Sequence, residues 1–287
     1  MEHFWGLLSA ARHEGRPLLM GVLNLTPDSF SDGGQFTDEA AAERQVRRLL
    51  AEGADVIDIG AESSKPGALP VPATEQLRRI GRSVERARAL GAVVSVDTTS
   101  PEVARVVLSR GAELINDVSC LRDPELARAT AAAGGTLVLN HSRSPMAEMR
   151  GFSEWPDDDY ADIVTDVALD WERARAVALT MGLRSNRILF DPGLGFSKNA
   201  RHCFELLRRL GEFRSLNAPI LVGPGRKSFI AAVDPSPPDQ RLGGTIAASL
   251  LAVMRGAEVV RVHDLAPVKQ ALAVLRAIDP AEARGAE

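Results

Sequence analysis

Eight short apolar runs recur along the 287-residue chain, and each ends at or near a residue able to do chemistry. The runs are Leu18–Leu23, Val56–Ile59, Val93–Val96, Leu114–Ile115, Leu137–Leu139, Ile188–Phe190, Ile220–Val222 and Val259–Val262. At or just past their ends stand Asn24, Glu62, Asp97, Asn116, His141, Asp191, Lys227 and His263. Segments of helical composition separate the runs. A strand and a helix repeated eight times predict a (β/α)8 barrel, a single α/β unit. In that architecture the C-terminal ends of the strands meet at one mouth, so the polar residues after the runs should share one site.

The boundaries follow from the same pattern. Residues 1–17 read as an irregular or short helical lead-in, 18–278 as the barrel and 279–287 as a C-terminal tail. Gly and Pro punctuate the helices. Asp38 is the expected N-cap of a helix over Glu39–Glu52, and a second helix is expected over Ala73–Leu90. Ser100-Pro101 supplies a cap and a first-turn proline for the next. Two connections are longer than the usual two to six residues, Asn24–Thr37 and Gly60–Pro72, and these are expected to cover the mouth.

Bulk properties exclude several classes of function. A net charge of −4 argues against nucleic acid or an anionic membrane as the main partner. No apolar run approaches the ~20 residues of a membrane span. The N-terminus lacks the extended apolar core of a signal peptide. Two cysteines, Cys120 and Cys203, without a CxxC, suit a reduced, cytoplasmic setting.

Asp97, Asn116 and Asp191 end three separate strands. They offer acceptors and one amide, the set that would pair with a planar ligand edge rich in N–H donors. Each alone reads as a turn or cap residue, but three together with Lys227 and Arg261 favour a binding site. Gly223-Pro224-Gly225-Arg226-Lys227-Ser228 lacks the glycine that precedes lysine in a Walker A loop, so an NTPase is rejected. The loops after strands seven and eight commonly bind phosphate in such barrels, and Arg226, Lys227, Arg261 and His263 lie there. Arg226 reads equally well as a solvated charge. Arg261 interrupts an apolar strand, where an unpaired charge is expensive. With no HExxH and no Cys/His cluster, a zinc site held by protein ligands is not expected. Magnesium bound mainly through substrate phosphates fits better.

The fifteen residues from Met20 through Asn24-Leu25-Thr26-Pro27-Asp28 to Gly34 closely resemble the first signature of dihydropteroate synthases. Five further motifs occur in the family's order. They are Val96-Asp97-Thr98, Ile115-Asn116-Asp117, Asp191-Pro192-Gly193-x-Gly195-Phe196, Gly225-Arg226-Lys227-Ser228 and Arg261-Val262-His263-Asp264. The resemblance implies condensation of 7,8-dihydropterin-6-ylmethyl diphosphate with p-aminobenzoate, giving 7,8-dihydropteroate and pyrophosphate. By the family's pattern, Asp97, Asn116, Asp191 and Lys227 would hold the pterin. Asn24, Ser64, Arg261 and His263 would bind the diphosphate, with Mg2+ near Asn24. Lys65, Pro66, Phe196 and Ser228 would shape the p-aminobenzoate site, and Asp32 could stabilise a cationic intermediate. The catalytic set is then Asp32, Lys227, Arg261 and His263. The expected partners are these small molecules, with neither nucleic acid nor membrane, and the pattern leaves room for a homodimer.

Three places depart from the family. Lys65 stands for an arginine, Gly225 for a serine, and Asn140-His141-Ser142 for Met-His-Met. Two other readings fit the same motifs: a pterin-dependent methyltransferase, against which the first signature and the Arg226-Lys227-Ser228 loop argue, and a pterin-binding paralogue without turnover.

Overall fold

The computed structural model describes residues 2–26, 35–63, 67–149 and 154–278. Its sheet has eight parallel strands: β1 (Leu18–Asn24), β2 (Val56–Gly60), β3 (Val93–Asp97), β4 (Leu114–Asp117), β5 (Thr136–Asn140), β6 (Ile188–Asp191), β7 (Leu221–Val222) and β8 (Val259–Val262). The strand order is β6-β5-β4-β3-β2-β1-β8-β7. A parallel bridge from Phe190 to Ile220 joins the two ends, and the Phe190 N–H donates to the Pro219 carbonyl at 2.9 Å. The barrel expected from the eight runs is therefore present, with β7 its shortest strand.

Period-two alternation sorts each strand's side chains. One set, including Leu19, Ile57, Val94, Ile115, Leu137, Phe190 and Val260, packs with the surrounding helices. The alternate set, Leu18, Met20, Val56, Val93, Leu114, Val138, Leu189, Leu221 and Val259, forms a second cluster inside the barrel. Gly21 belongs to the outer set, where a Cβ would meet Leu265 at 2.8 Å, so its lack of a side chain lets the last helix pack closely.

The surrounding helices are α2 (Gln35–Glu52), α3 (Ala73–Ile80), α4 (Ser83–Ala89), α5 (Pro101–Ser109), α6 (Pro124–Ala132), α7 (Ile163–Thr180), α8 (Ala200–Arg208), the single turn α9 (Ser228–Ala231), α10 (Leu242–Met254) and α11 (Leu265–Ile278). Ser100 caps α5 as expected, accepting from the Val103 N–H. Two local expectations fail. Asp38 lies within α2 and is not its cap. The helix expected over Ala73–Leu90 breaks into α3 and α4 at Gly81, whose φ of 50° and ψ of −122° no helix can accommodate.

The lead-in contains α1 (His3–His13), which is part of the folded body. Phe4, Leu8 and Ala11 pack into the interior cluster and close the barrel's lower end. The Glu113 carboxylate, just before β4, accepts from the Phe4 N–H at 3.2 Å and so satisfies a free donor in the first turn of α1. Trp5 Nε1 donates to Thr136 Oγ1 at 2.9 Å. Residues 279–287, the expected tail, lie outside the described residues.

Candidate active site at the strand ends

Moving up the barrel, the interior positions change character. Two residues beyond the apolar layer, the inward set becomes Asp58, Ser95, Asn116, Asn140, Asp191 and Arg261, all buried or nearly so. Strand register links several of them: Asp58 pairs with Ser95, Asp97 with Asn116, and Asn140 with Asp191. Residues separated by tens of positions thus line one chamber because each lies a fixed number of steps up its strand.

Asp58 is the hub, and the sequence reading missed it. It is fully buried. Its Oδ2 accepts from Arg261 Nε at 2.7 Å and from Asn116 Nδ2 at 3.2 Å. Arg261 also donates to Asp97 at 3.4 Å. The guanidinium is therefore the counter-ion of two carboxylates. The signal was a charge at an inward position of Val56-Ile57-Asp58-Ile59, hidden by counting that stretch as one apolar run.

Electrostatics set the protonation states. Burial, with the nearby Asp58 charge, pushes Asp97 up to about 7 against the opposing pull of Arg261. Burial likewise raises Asp191, while Lys227 opposes the rise. Lys227 is lowered to about 8, chiefly by burial. Its Nζ donates to the Leu194 carbonyl and lies 4.3 Å from the centre of the Phe196 ring. Gly193 turns the chain between these groups at φ 69°, with its N–H donating to Asp191 Oδ1 at 2.8 Å. A Cβ there would collide with the His141 carbonyl and come within 2.7 Å of Asn140 Oδ1.

The expected phosphate corner is more constrained than the sequence suggested. Arg226 remains partly exposed and pairs with Asp264 at 2.8 and 2.5 Å, so it is a paired charge at the surface and not an unengaged anion ligand. Burial and then the charges of Arg261 and Arg226 lower His263 to about 4. His263 is thus neutral at pH 7 in the ligand-free chain, and its expected role as a source of positive charge requires a ligand that raises it. Gly225, the departure from serine, would place a Cβ 3.3 Å from His263 Nδ1. Asn24 ends β1 as an exposed amide, and Gly60 keeps the space between it and Asp97 open. Asp32, Ser64, Lys65 and Pro66 lie outside the described residues.

Several buried polar atoms here lack a hydrogen-bond partner: Asp58 Oδ1, Ser95 Oγ, Asn116 Oδ1, Asn140 Oδ1, Ser228 Oγ and His263 Nδ1. Such atoms are uncommon in a folded protein because each is expensive to desolvate. Their concentration in one chamber suits a ligand edge rich in N–H donors. A cavity of about 260 Å³ opens beside Asp97 and is lined also by Glu62, Thr99, Ser119, Arg122 and Met146. A larger one, about 390 Å³, lies away from the strand ends between Pro17, Asp55 and Lys269 and holds none of these groups.

The family model described as pterin binding enzyme matches residues 20–263, which span every element of this chamber. The chain belongs to the dihydropteroate synthase family. It is 38% identical to the dihydropteroate synthase of Escherichia coli K12 over 262 residues, 91% of each protein. It is 40% identical over 266 residues to a probable bifunctional folylpolyglutamate synthase/dihydropteroate synthase of Haloferax volcanii, covering 91% of this chain but 31% of that protein. Among solved structures, the Xanthomonas albilineans dihydropteroate synthase with 4-aminobenzoic acid superposes with a TM-score of 0.83 at 41% identity, over 92% of this chain and 93% of that one. Against the dihydropteroate synthase pattern, Asp97, Asn116, Asp191 and Lys227 converge in this chain, and Phe196 lies against Lys227.

Proposed function

We propose that this chain is a working dihydropteroate synthase that joins 7,8-dihydropterin-6-ylmethyl diphosphate to p-aminobenzoate and releases pyrophosphate. The cluster of unpartnered buried acceptors around Asp58, Asn116 and Asn140 carries this reading, because an aminopyrimidinone edge supplies the matching donors. Asp97, Asn116 and Asp191 accept from that edge, and Lys227 donates to its carbonyl side.

The reaction breaks the bond between the exocyclic carbon and the diphosphate oxygen, and pyrophosphate leaves with the electron pair. The electron-rich dihydropterin stabilises the resulting cation, so departure can run ahead of attack. The amine nitrogen of p-aminobenzoate then forms the new C–N bond and loses a proton. Arg261 stabilises charge as it develops on the leaving group. His263, neutral beforehand, becomes a better donor as the diphosphate counters its cationic neighbours. Asn24 is the described residue best suited to Mg2+: a single exposed amide oxygen at the mouth fits an ion held mainly by substrate phosphates. No group of three or more His, Cys, Asp or Glu among the described residues could hold a metal instead. Bound there, the ion would neutralise diphosphate charge. Phe196 and Ser228 border the p-aminobenzoate position, joined by Ser64, Lys65 and Pro66. Asp32 stabilises the cation. We place the reaction in the cytoplasm, consistent with two free cysteines, and retain a homodimer as the assembly.

Purified protein supplied with both substrates and Mg2+ tests the reading. Formation of 7,8-dihydropteroate is expected. Pterin binding without product would favour the non-catalytic paralogue.

A further inference from the structure

Beneath the loop that follows β6 lies a buried cation for which the proposed reaction has no use. Lys198 is 1% exposed. Its Nζ donates to His141 Nδ1 at 2.8 Å, to the Phe196 carbonyl at 2.9 Å and to the His141 carbonyl at 3.3 Å. An ammonium has three N–H donors, so three acceptors use it fully. Accepting at Nδ1 leaves His141 its proton on Nε2, which lies 3.3 Å from Asp170 Oδ2 on α7. Arg143 holds the same carboxylate oxygen at 2.9 Å. A polar chain therefore runs from Lys198 through buried His141 to half-buried Asp170 and Arg143.

The loop above it is the one that meets Lys227. Lys198 grips the Phe196 carbonyl from below, while Lys227 sits over the Phe196 ring and bonds the Leu194 carbonyl from the other side. Between Phe196 and Lys198, Ser197 takes φ 49°, an unfavourable conformation for a residue with a side chain. Its Oγ accepts from the N–H groups of Arg143 and Ser144 at 3.1 and 3.0 Å, and its carbonyl accepts from Tyr160 at 2.8 Å. The loop's shape is thus imposed by buried polar ties, and Lys198 supplies three of them.

We propose that Lys198 is a positioning residue that acts as a proton-dependent latch: as an ammonium it holds Leu194 and Phe196 against Lys227, and as an amine it loosens them. The proposal rests on the reading of Phe196 and Lys227 as substrate contacts. A neutral amine keeps two donors for three acceptors, so one buried acceptor loses its bond. The groups facing Lys198 are His141 from the end of β5, Cys120 from beyond β4, Cys203 on α8, Asp191 ending β6, and Lys227. Burial, helped by the Lys227 charge, lowers Lys198 to about 7 against the opposing pull of Cys203, Cys120 and Asp191. Burial, followed by the Lys198 charge, pushes His141 down to about 3, so the imidazole remains an acceptor throughout. The choice of residue agrees: the chain has only four lysines, at 65, 198, 227 and 269, among 34 basic residues. Arginine would stay charged at every relevant pH, whereas lysine titrates when buried.

The test uses the full chain with saturating pterin diphosphate and Mg2+, varying p-aminobenzoate from about pH 6 to about pH 9, where that ligand's carboxylate does not titrate. In the unsubstituted protein the KM for p-aminobenzoate should rise about three- to tenfold as pH passes the Lys198 titration, with kcat less affected. Lys198→Met should hold KM at its high-pH value throughout. With carbon-13-labelled lysine, two of the four side-chain signals should titrate below the ordinary lysine range, and the lower one, near 7, should vanish in Lys198→Met while the Lys227 signal, near 8, persists. If that variant does not fold, Asp170→Asn substitutes for it: losing the carboxylate behind His141 should move the inflection to lower pH. A pH profile unchanged in either variant, or no lysine signal titrating near neutrality, overturns the latch. Absence of turnover in the unsubstituted protein overturns the synthase reading instead, and the lysine signal still decides the latch.

Discussion

Asp58 and Arg261 meet at 2.7 Å across the barrel interior, although β1 lies between their strands. The pair ties the β2 side of the chamber to the β8 side and, through Asn116 and Asp97, to β4 and β3. Asp58→Asn would leave Arg261 with Asp97, at the longer distance, as its one carboxylate partner among those two. Removing one partner of a buried pair costs about 3 kcal/mol, so denaturant unfolding should show a loss of that order. Asp97 should also titrate lower, because burial remains but the like charge of Asp58 is gone. An unchanged Asp97 titration by carbon-13 NMR would show that the two carboxylates are not coupled.

Asp191→Asn keeps the side chain's size and exchanges an ionised acceptor for an amide. One ligand N–H then loses charge assistance or faces a donor, a loss of about 1.5–3 kcal/mol. Pterin affinity should fall at least about tenfold, while thermal stability changes little. Calorimetric titration that finds equal affinity would remove Asp191 from the pterin pocket.

Proton release should accompany pterin binding. Asp97 is held up to about 7, first by burial and then by Asp58. A donor-rich ligand favours the carboxylate and lowers that value. Below about pH 7 binding must therefore expel a proton, and affinity should rise with pH until Asp97 is ionised in the free protein. Calorimetry in buffers of different ionisation enthalpy measures this release directly. Proton uptake on binding would reverse the assignment. For the fold the sign is opposite: a carboxyl raised above its unfolded value contributes a stability loss that grows from about pH 4 to about pH 7.

Phe4→Ala tests the lower end. Phe4 is fully buried in the interior cluster, and its truncation should cost about 3–4 kcal/mol. The KM values should not move, since stability concentrates at the closed end of such a barrel and chemistry at the mouth. A changed KM for either substrate would show that the floor and the mouth are coupled.

Much of this was legible in the sequence, for a reason specific to the architecture. Asp97, Asn116 and Asp191 stand where a strand stops, so the end of each apolar run pointed to them. Asp58 stands one inward step lower, between isoleucines, and an apolar count conceals it. His141 was marked by its place after the fifth run, but as a residue of the mouth; it packs with Lys198 behind the loop, and neither position nor spacing shows that a side chain faces away from the mouth. Gly81 was read through because Arg78, Arg79 and Ile80 continue a helical pattern up to it. Backbone angles, which composition does not encode, make it a break.

The α1 helix seals the barrel on the side opposite the mouth. A protein joined ahead of His3 would therefore hang from the sealed side, with the whole barrel between it and the strand ends. Tethers for surface immobilisation, or a second enzyme fused in tandem, belong at that terminus, where they leave the approach of substrates unobstructed.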